Sequence, residues 1–149
     1  MNSLISSNEK AKQLHSYRTI EGDSTTLGGH SANGIIEDEK GNYWVTAFGG
    51  GLNYLDSKTG KFKRFMVHDI ENSIGSNCVA VFLKDNMGNF NIGSMYGGLV
   101  TFNPSNGKFK NYLHVVSDST SISADITTPY LQEKNNIIWL GTLGGGLNA

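Results

Sequence analysis

Gly50-Gly51-Leu52, Gly97-Gly98-Leu99 and Gly145-Gly146-Leu147 are three copies of one step, set 47 and then 48 residues apart. Two further landmarks keep the same interval. Trp44, Asn91 and Trp139 are separated by 47 and 48 positions, and Gly60-Lys61-Phe62-Lys63-Arg64-Phe65 returns 47 positions later as Gly107-Lys108-Phe109-Lys110-Asn111-Tyr112. A period held by independent landmarks is the signature of a repeat architecture.

Inside one period the apolar stretches are too short and too often broken by glycine for helices, and they read as four strands. The first covers residues 35–38 or 79–84 and ends in Glu39-Lys40-Gly41-Asn42 or Asn86-Met87-Gly88-Asn89, where glycine supplies the positive φ of a tight hairpin. The second covers 43–47, 90–94 and 138–142, rich in aromatic and branched side chains. The third starts at the glycine-leucine step, at 51–55 and 98–102, and turns at Asp56-Ser57-Lys58-Thr59-Gly60 or Asn103-Pro104-Ser105-Asn106-Gly107. The fourth, 61–67 or 108–115, alternates apolar and polar residues as a half-solvated strand does. Four antiparallel strands in about 47 residues match one β-propeller blade. The expected fold is therefore all-β, a β-propeller segment of about three four-stranded blades.

Leu147-Asn148-Ala149 aligns with Leu52-Asn53-Tyr54, so the third blade is expected to break off as its third strand begins. The N-terminal segment carries a complement: Asn2-Ser3-Leu4-Ile5 as a third strand, and Gln13-Leu14-His15-Ser16-Tyr17-Arg18 as a fourth, with Leu14 and Tyr17 at the positions of Phe62 and Phe65. This predicts a blade split between the termini (1–29 with 125–149) and two whole blades at 30–76 and 77–124. Three blades do not close a ring of the usual four to eight. The remaining blades of a longer propeller, or further copies in a homo-oligomer, are expected to cover the open faces.

Composition agrees with many tight turns between short strands: 19 glycines, two prolines and 10% aromatics in 149 residues. Twelve basic against 13 acidic residues leave a net charge of -1, so no overall field draws the chain to nucleic acid. Cys78, the single cysteine, lies in the apolar run Cys78-Val79-Ala80-Val81-Phe82-Leu83 and is expected to pack in the core. No run reaches the roughly 18 apolar residues of a membrane span, and residues 1–12 carry neither an apolar core nor a cleavage pattern, so no signal peptide is read in the chain.

Asp38-x-x-Gly41-Asn42-x-Trp44-Val45, followed by Gly49-Gly50-Gly51-Leu52-Asn53 and Thr59-Gly60-Lys61-Phe62, resembles the two-component regulator propeller repeat. Ile138-Trp139-Leu140-Gly141-Thr142-Leu143-Gly144-Gly145-Gly146-Leu147-Asn148 is a closer copy, and the link His68-Asp69-Ile70-Glu71-Asn72-Ser73-Ile74-Gly75-Ser76-Asn77 also fits. Two departures stand out: Asn91 where tryptophan is usual, and Thr46-Ala47 in place of the Gly-Thr seen at Gly141-Thr142. The resemblance implies a periplasmic, extracytoplasmic sensor region of a Bacteroides-type hybrid two-component histidine kinase. It implies an oligosaccharide ligand, and no catalysis or cofactor in this piece.

The residues themselves offer little reaction chemistry. Phe48-Gly49-Gly50-Gly51 lacks the Lys-Ser/Thr and following helix of a phosphate cradle, and Gly93-Ser94-Met95-Tyr96-Gly97 is no nucleophile elbow. His15, His30, His68 and His114 are too scattered for a metal site. Asp38 and Asp85 occupy equivalent turn positions, which favours hydrogen bonding in each repeat over a catalytic pair. Binding is better sought where repeats differ. Phe48, Met95 and Tyr96 in the loops before the glycine step, with Asn72, Asn77 and His30 in the links, are the candidate ligand contacts, an aromatic ring beside amides being suited to a sugar. A protein-interaction scaffold, and more remotely a fragment of a propeller glycosidase or lyase, are the competing readings.

Overall fold

The computed structural model describes residues 15–68 and 72–149. Eleven strands and no helix are found among them. β1 (Ser31–Glu37), β2 (Tyr43–Phe48), β3 (Gly51–Asp56) and β4 (Lys61–Phe65) form a first antiparallel sheet in sequence order. β5 (Val79–Lys84), β6 (Phe90–Ser94), β7 (Leu99–Asn103) and β8 (Lys108–Tyr112) form a second of the same order. β9 (Thr127–Gln132), β10 (Ile138–Thr142) and β11 (Gly146–Asn148) form a third with three strands. Tyr43 pairs with Leu55 and Leu55 with Phe62, and 47 residues on Phe90 pairs with Phe102 and Phe102 with Phe109. The repeat is thus preserved in register, not only in sequence.

Several expected strands end elsewhere. β1 begins at Ser31, four residues before the predicted start, and contains a register shift between Ala32 and Gly34, an irregularity that hid its extent from a reading by alternation. β4 and β8 stop at Phe65 and Tyr112, short of residues 67 and 115. The cause is local competition for the backbone. Asn77 Oδ1 accepts from the Val67 N–H at 2.7 Å, and Asp125 Oδ1 accepts from the His114 N–H at 2.7 Å, so a side chain of the following link takes the place of a strand partner. The strand expected at 2–5 lies outside the described residues, as do positions 13 and 14. Residues 15–18 form no strand, and Tyr17 stands edge-on to Phe62 of the first sheet, ring centroids 5.5 Å apart.

The second sheet lies between the other two, touched by β1 and β2 through β5 and by β9 through β5, β6 and β7. Its contact with the first sheet is aromatic. Trp44 is 8% exposed and packs on Phe90 and Phe102 at centroid distances of 5.5 and 5.1 Å, with Tyr54 and Phe65 beside it. Leu52, Val79, Ile92 and Val100 complete a cluster closed to solvent. The contact with the third sheet is polar and close. A Cβ at Gly93 would overlap the Thr127 carbonyl, and the Thr127 hydroxyl donates to the Gly98 carbonyl at 2.8 Å. Asn91, in the tryptophan position of the repeat, accepts from the Thr101 hydroxyl at 2.9 Å, while its buried Nδ2 finds no partner.

Candidate functional site

The loops joining the second and third strands of each sheet gather at one end of the stack, where the links between sheets also arrive. The first two loops are pinned from two sides and the third from one. The His30 N–H donates to the Phe48 carbonyl at 3.3 Å, and Phe48 pairs with Cys78 at the entry to the second sheet. The Gly51 N–H donates to the Asn77 carbonyl at 3.0 Å and the Met95 N–H to the Cys78 carbonyl at 2.8 Å. In the next copy, the Gly98 N–H donates to the Asp125 carbonyl at 2.9 Å and the Leu143 N–H to the Ile126 carbonyl at 2.9 Å. These bonds make the loop end a fixed surface, with the side chains of Phe48, Tyr96 and Leu143 turned outward to solvent.

His30, Phe48, Asn77, Met95 and Tyr96 therefore do share one end of the molecule. Asn72 does not. It lies on the outer edge of β8, where its Oδ1 accepts from the Phe109 N–H at 2.6 Å and its Nδ2 donates to the Gly107 carbonyl at 3.4 Å, next to the β7–β8 turn. Asn77 reaches the right end, but its side-chain oxygen is committed to Val67, as Asp125 is to His114 in the following repeat. Both amides serve the architecture. Cys78, expected in the core, is half-buried and borders this same loop.

Tyr96 differs from its counterparts in backbone as well as side chain. Its φ is +65°, and the equivalent loop positions are Gly49 at +76° and Gly144 at +87°. A left-handed conformation costs an L residue about 1–2 kcal/mol that glycine does not incur. The second repeat thus holds a 76%-exposed ring, with no burial to offset the strain, where its neighbours use glycine. The signal was present in the sequence: of the three residues preceding the Gly-Gly-Leu step, two are glycine and one is tyrosine.

The opposite end holds a cleft of 620 Å³ between the first two sheets that sequence reasoning did not anticipate, walled by Trp44, Tyr54, Phe65, Lys63, Lys84 and Met87 among others. Its walls come from hairpin ends of the first two sheets, a juxtaposition that only their stacking creates. Asp38 sits on its rim and orders the β1–β2 turn as expected: its Oδ1 accepts from the Lys40 and Asn42 N–H groups at 2.8 and 2.9 Å, and its Oδ2 accepts from the Tyr54 hydroxyl at 2.8 Å. Asp85 binds its own turn through Met87 and Asn89 in the same way. Burial pushes the Asp38 carboxyl upward, but the donated hydrogen bonds from Asn42, Tyr54 and Lys40 outweigh it and hold the group below the usual carboxylate range. Burial, with the adjacent Asp38 carboxylate second, raises the Tyr54 phenol above its ordinary value.

A carboxyl whose folded pKa lies below its unfolded value of about 3.9 contributes its full stability above that pH and loses it as the pH falls through the folded value. Stability is accordingly expected to decline below about pH 4. Asp38→Asn, which has no proton to take up, is expected to decline less steeply, as read from urea midpoints at successive pH values. Asp23, Asp56 and Asp118, also held low by hydrogen bonds in their turns, keep part of the slope in the variant. An identical slope in variant and wild type would contradict this role for Asp38.

Among the described residues no three His, Cys, Asp or Glu side chains gather as metal ligands would. The His114 ring instead lies with Nδ1 2.8 Å from the Ile122 carbonyl, inside its own link.

Neither a protein-family model nor a curated protein matches the chain. Solved structures do. One is the extracellular domain described as that of the hybrid two component system BT3049 from B. thetaiotaomicron, at 18% identity and a TM-score of 0.66, over 82% of this chain and 19% of that one. Another is the extracellular domain of the hybrid two component system BT4673 from the same organism, at 22% identity and a TM-score of 0.59, over 87% of this chain and 16% of that one. The chain spans less than a fifth of these structures, and at such identities the likeness is one of fold. It agrees with the resemblance seen in the repeat motif.

Proposed function

We propose that this chain is a β-propeller segment of the extracytoplasmic input region of a two-component sensor, its three sheets acting as successive blades and its loop end contributing to a ligand site. The observation that carries the ligand reading is Tyr96, an exposed ring held at positive φ where the other two repeats have glycine. Backbone strain kept at a solvent-facing aromatic on a pinned loop is characteristic of a binding position. A flat exposed ring, at the loop end where Phe48 and Leu143 are exposed too, suits stacking against the apolar face of a sugar, and the ligand class proposed is an oligosaccharide. The reading includes no catalytic step; Asp38 and Asp85, the carboxylates at equivalent positions of the first two sheets, are engaged in their turns.

The test compares wild type with Tyr96→Gly by titration calorimetry against a panel of oligosaccharides. Glycine at this φ relieves strain, so the variant is expected to be as stable as wild type or more stable by up to about 1 kcal/mol, and to lose the binding. Binding unchanged by the substitution would remove Tyr96 from the site. Hydrolysis of any panel member would overturn the non-catalytic reading.

A protein-binding scaffold is the second reading, favoured by the exposed row of Phe48, Tyr96 and Leu143 across three loops. It predicts that Phe48→Ala and Leu143→Ala weaken capture of a protein partner while no oligosaccharide registers.

A further inference from the structure

The turn that carries Tyr96 is closed differently from its two counterparts. In the first sheet, Ala47-Phe48-Gly49-Gly50 is closed by the Gly50 N–H donating to the Ala47 carbonyl at 3.0 Å, and in the third, Thr142-Leu143-Gly144-Gly145 is closed by the Gly145 N–H donating to the Thr142 carbonyl at 3.3 Å. The third residue of each turn takes a positive φ, which suits glycine. In the second sheet the turn is Ser94-Met95-Tyr96-Gly97, and the Gly97 N–H donates instead to the Ser94 hydroxyl at 3.1 Å. That hydroxyl, itself buried, donates on to the Gly98 carbonyl at 2.8 Å. On the other side of Tyr96, the Ser76 hydroxyl donates to the Met95 carbonyl at 2.8 Å and accepts from the Cys78 N–H at 3.0 Å.

The Met95 carbonyl belongs to the peptide group before Tyr96, and the Gly97 N–H to the one after it. The two soft torsions of a residue describe how these two planar groups are set about its Cα, so holding both groups holds φ and ψ together. The pair of hydroxyls is peculiar to this repeat. Gly29 and Ala47 stand 47 residues before Ser76 and Ser94, and Ala124 and Thr142 stand 48 residues after them. The first repeat has neither hydroxyl. The third has Thr142 alone, which donates to the Gly146 carbonyl at 3.1 Å and leaves the N–H of its turn to the backbone. Both hydroxyls thus occur together only where the residue at positive φ is tyrosine, and a strained conformation persists where its surroundings over-determine it.

We infer that Ser76 and Ser94 are positioning residues for Tyr96, fixing the two peptide groups on either side of it so that the exposed ring is presented in one orientation. The inference rests on the reading of Tyr96 as a ligand contact. A ring held ready binds without the ordering cost of a wandering loop, and a loop in the competent arrangement only part of the time weakens binding by that fraction.

Ser76→Ala and Ser94→Ala test this, each introducing the residue that another repeat already has at the equivalent place, Ala124 and Ala47. Nitrogen-15 relaxation on the 149-residue chain reads the order of the Tyr96 amide. The order parameter is expected near the rigid-backbone value of about 0.85 in wild type and to fall towards about 0.6 in each variant, with β6 and β7 unchanged. In titration calorimetry with the oligosaccharide panel, a member that wild type binds is expected to bind each variant roughly tenfold more weakly, although the ring is still present. A purely structural role for the serines predicts a lower thermal midpoint with the order of Tyr96 and the affinity both unchanged, and that result overturns the inference. Loosening of Tyr96 with no loss of affinity overturns it too. If no panel member binds wild type, the oligosaccharide reading is what fails, and the relaxation data alone decide whether the two hydroxyls hold Tyr96.

Discussion

Gly98→Ala is expected to destabilise the protein by about 3–5 kcal/mol, and Gly146→Ala by only about 1–2. Both glycines have positive φ, +66° and +78°, so the conformational part of the cost is shared. What differs is the space. A Cβ at Gly98 would overlap the Tyr112 carbonyl oxygen, and one at Gly51 the Phe65 carbonyl oxygen, because the fourth strand of each sheet passes directly alongside. At Gly146 nothing lies within 4 Å among the described residues, since the third sheet has three strands there. Relieving the clash at Gly98 requires parting Leu99 from Tyr112 in the β7–β8 ladder, a large loss against a total stability of about 5–15 kcal/mol. Urea unfolding of the two variants measures the contrast. A Gly146→Ala loss as large as that of Gly98→Ala would show that a fourth strand does lie against β11.

Trp44→Ala is expected to cost about 3–5 kcal/mol, the upper range for removing an aromatic from a core. Its ring meets four others, Tyr54, Phe65, Phe90 and Phe102, at centroid distances from 4.5 to 5.6 Å, and these come from both sheets of the interface. Truncation leaves a cavity lined by rings on two separate sheets, which cannot collapse without moving one sheet against the other. Trp139→Ala, at the equivalent place in the third sheet, is expected to cost clearly less in the monomer, because that ring is only partly buried and its Nε1 donates to Glu133 at 2.6 Å near the turn. Thermal midpoints of the two variants, measured at low protein concentration, decide the order. Equal losses would mean that Trp139 is as enclosed in solution as Trp44.

The reading from sequence recovered most strands because each was marked by features that act locally. Gly41 and Gly88 at positive φ fixed the hairpins, and β-branched and aromatic runs fixed β2, β6 and β10 to within a residue. It failed where the determining partner was distant in sequence. The ends of β4 and β8 depend on Asn77 and Asp125, each about ten residues further along, and Asn72 lies away from the loop end because its link first crosses the edge of β8. Among the candidate contacts, the positive φ of Tyr96 is a property of the folded loop, the Asn77 side chain is engaged by the Val67 N–H, and the hairpin-end cleft has no local mark in the sequence.

The glycine-leucine step, by itself, determined the period, the strand order within each sheet and the all-β class, since these follow from φ preference, turn chemistry and alternation over a few residues. Only the tertiary structure decided which glycines are indispensable and which faces are covered. The identical step is enclosed at Leu52 and Leu99 and exposed at Leu147, because burial depends on whether a neighbouring strand and sheet are present, and no local feature of the residue encodes that.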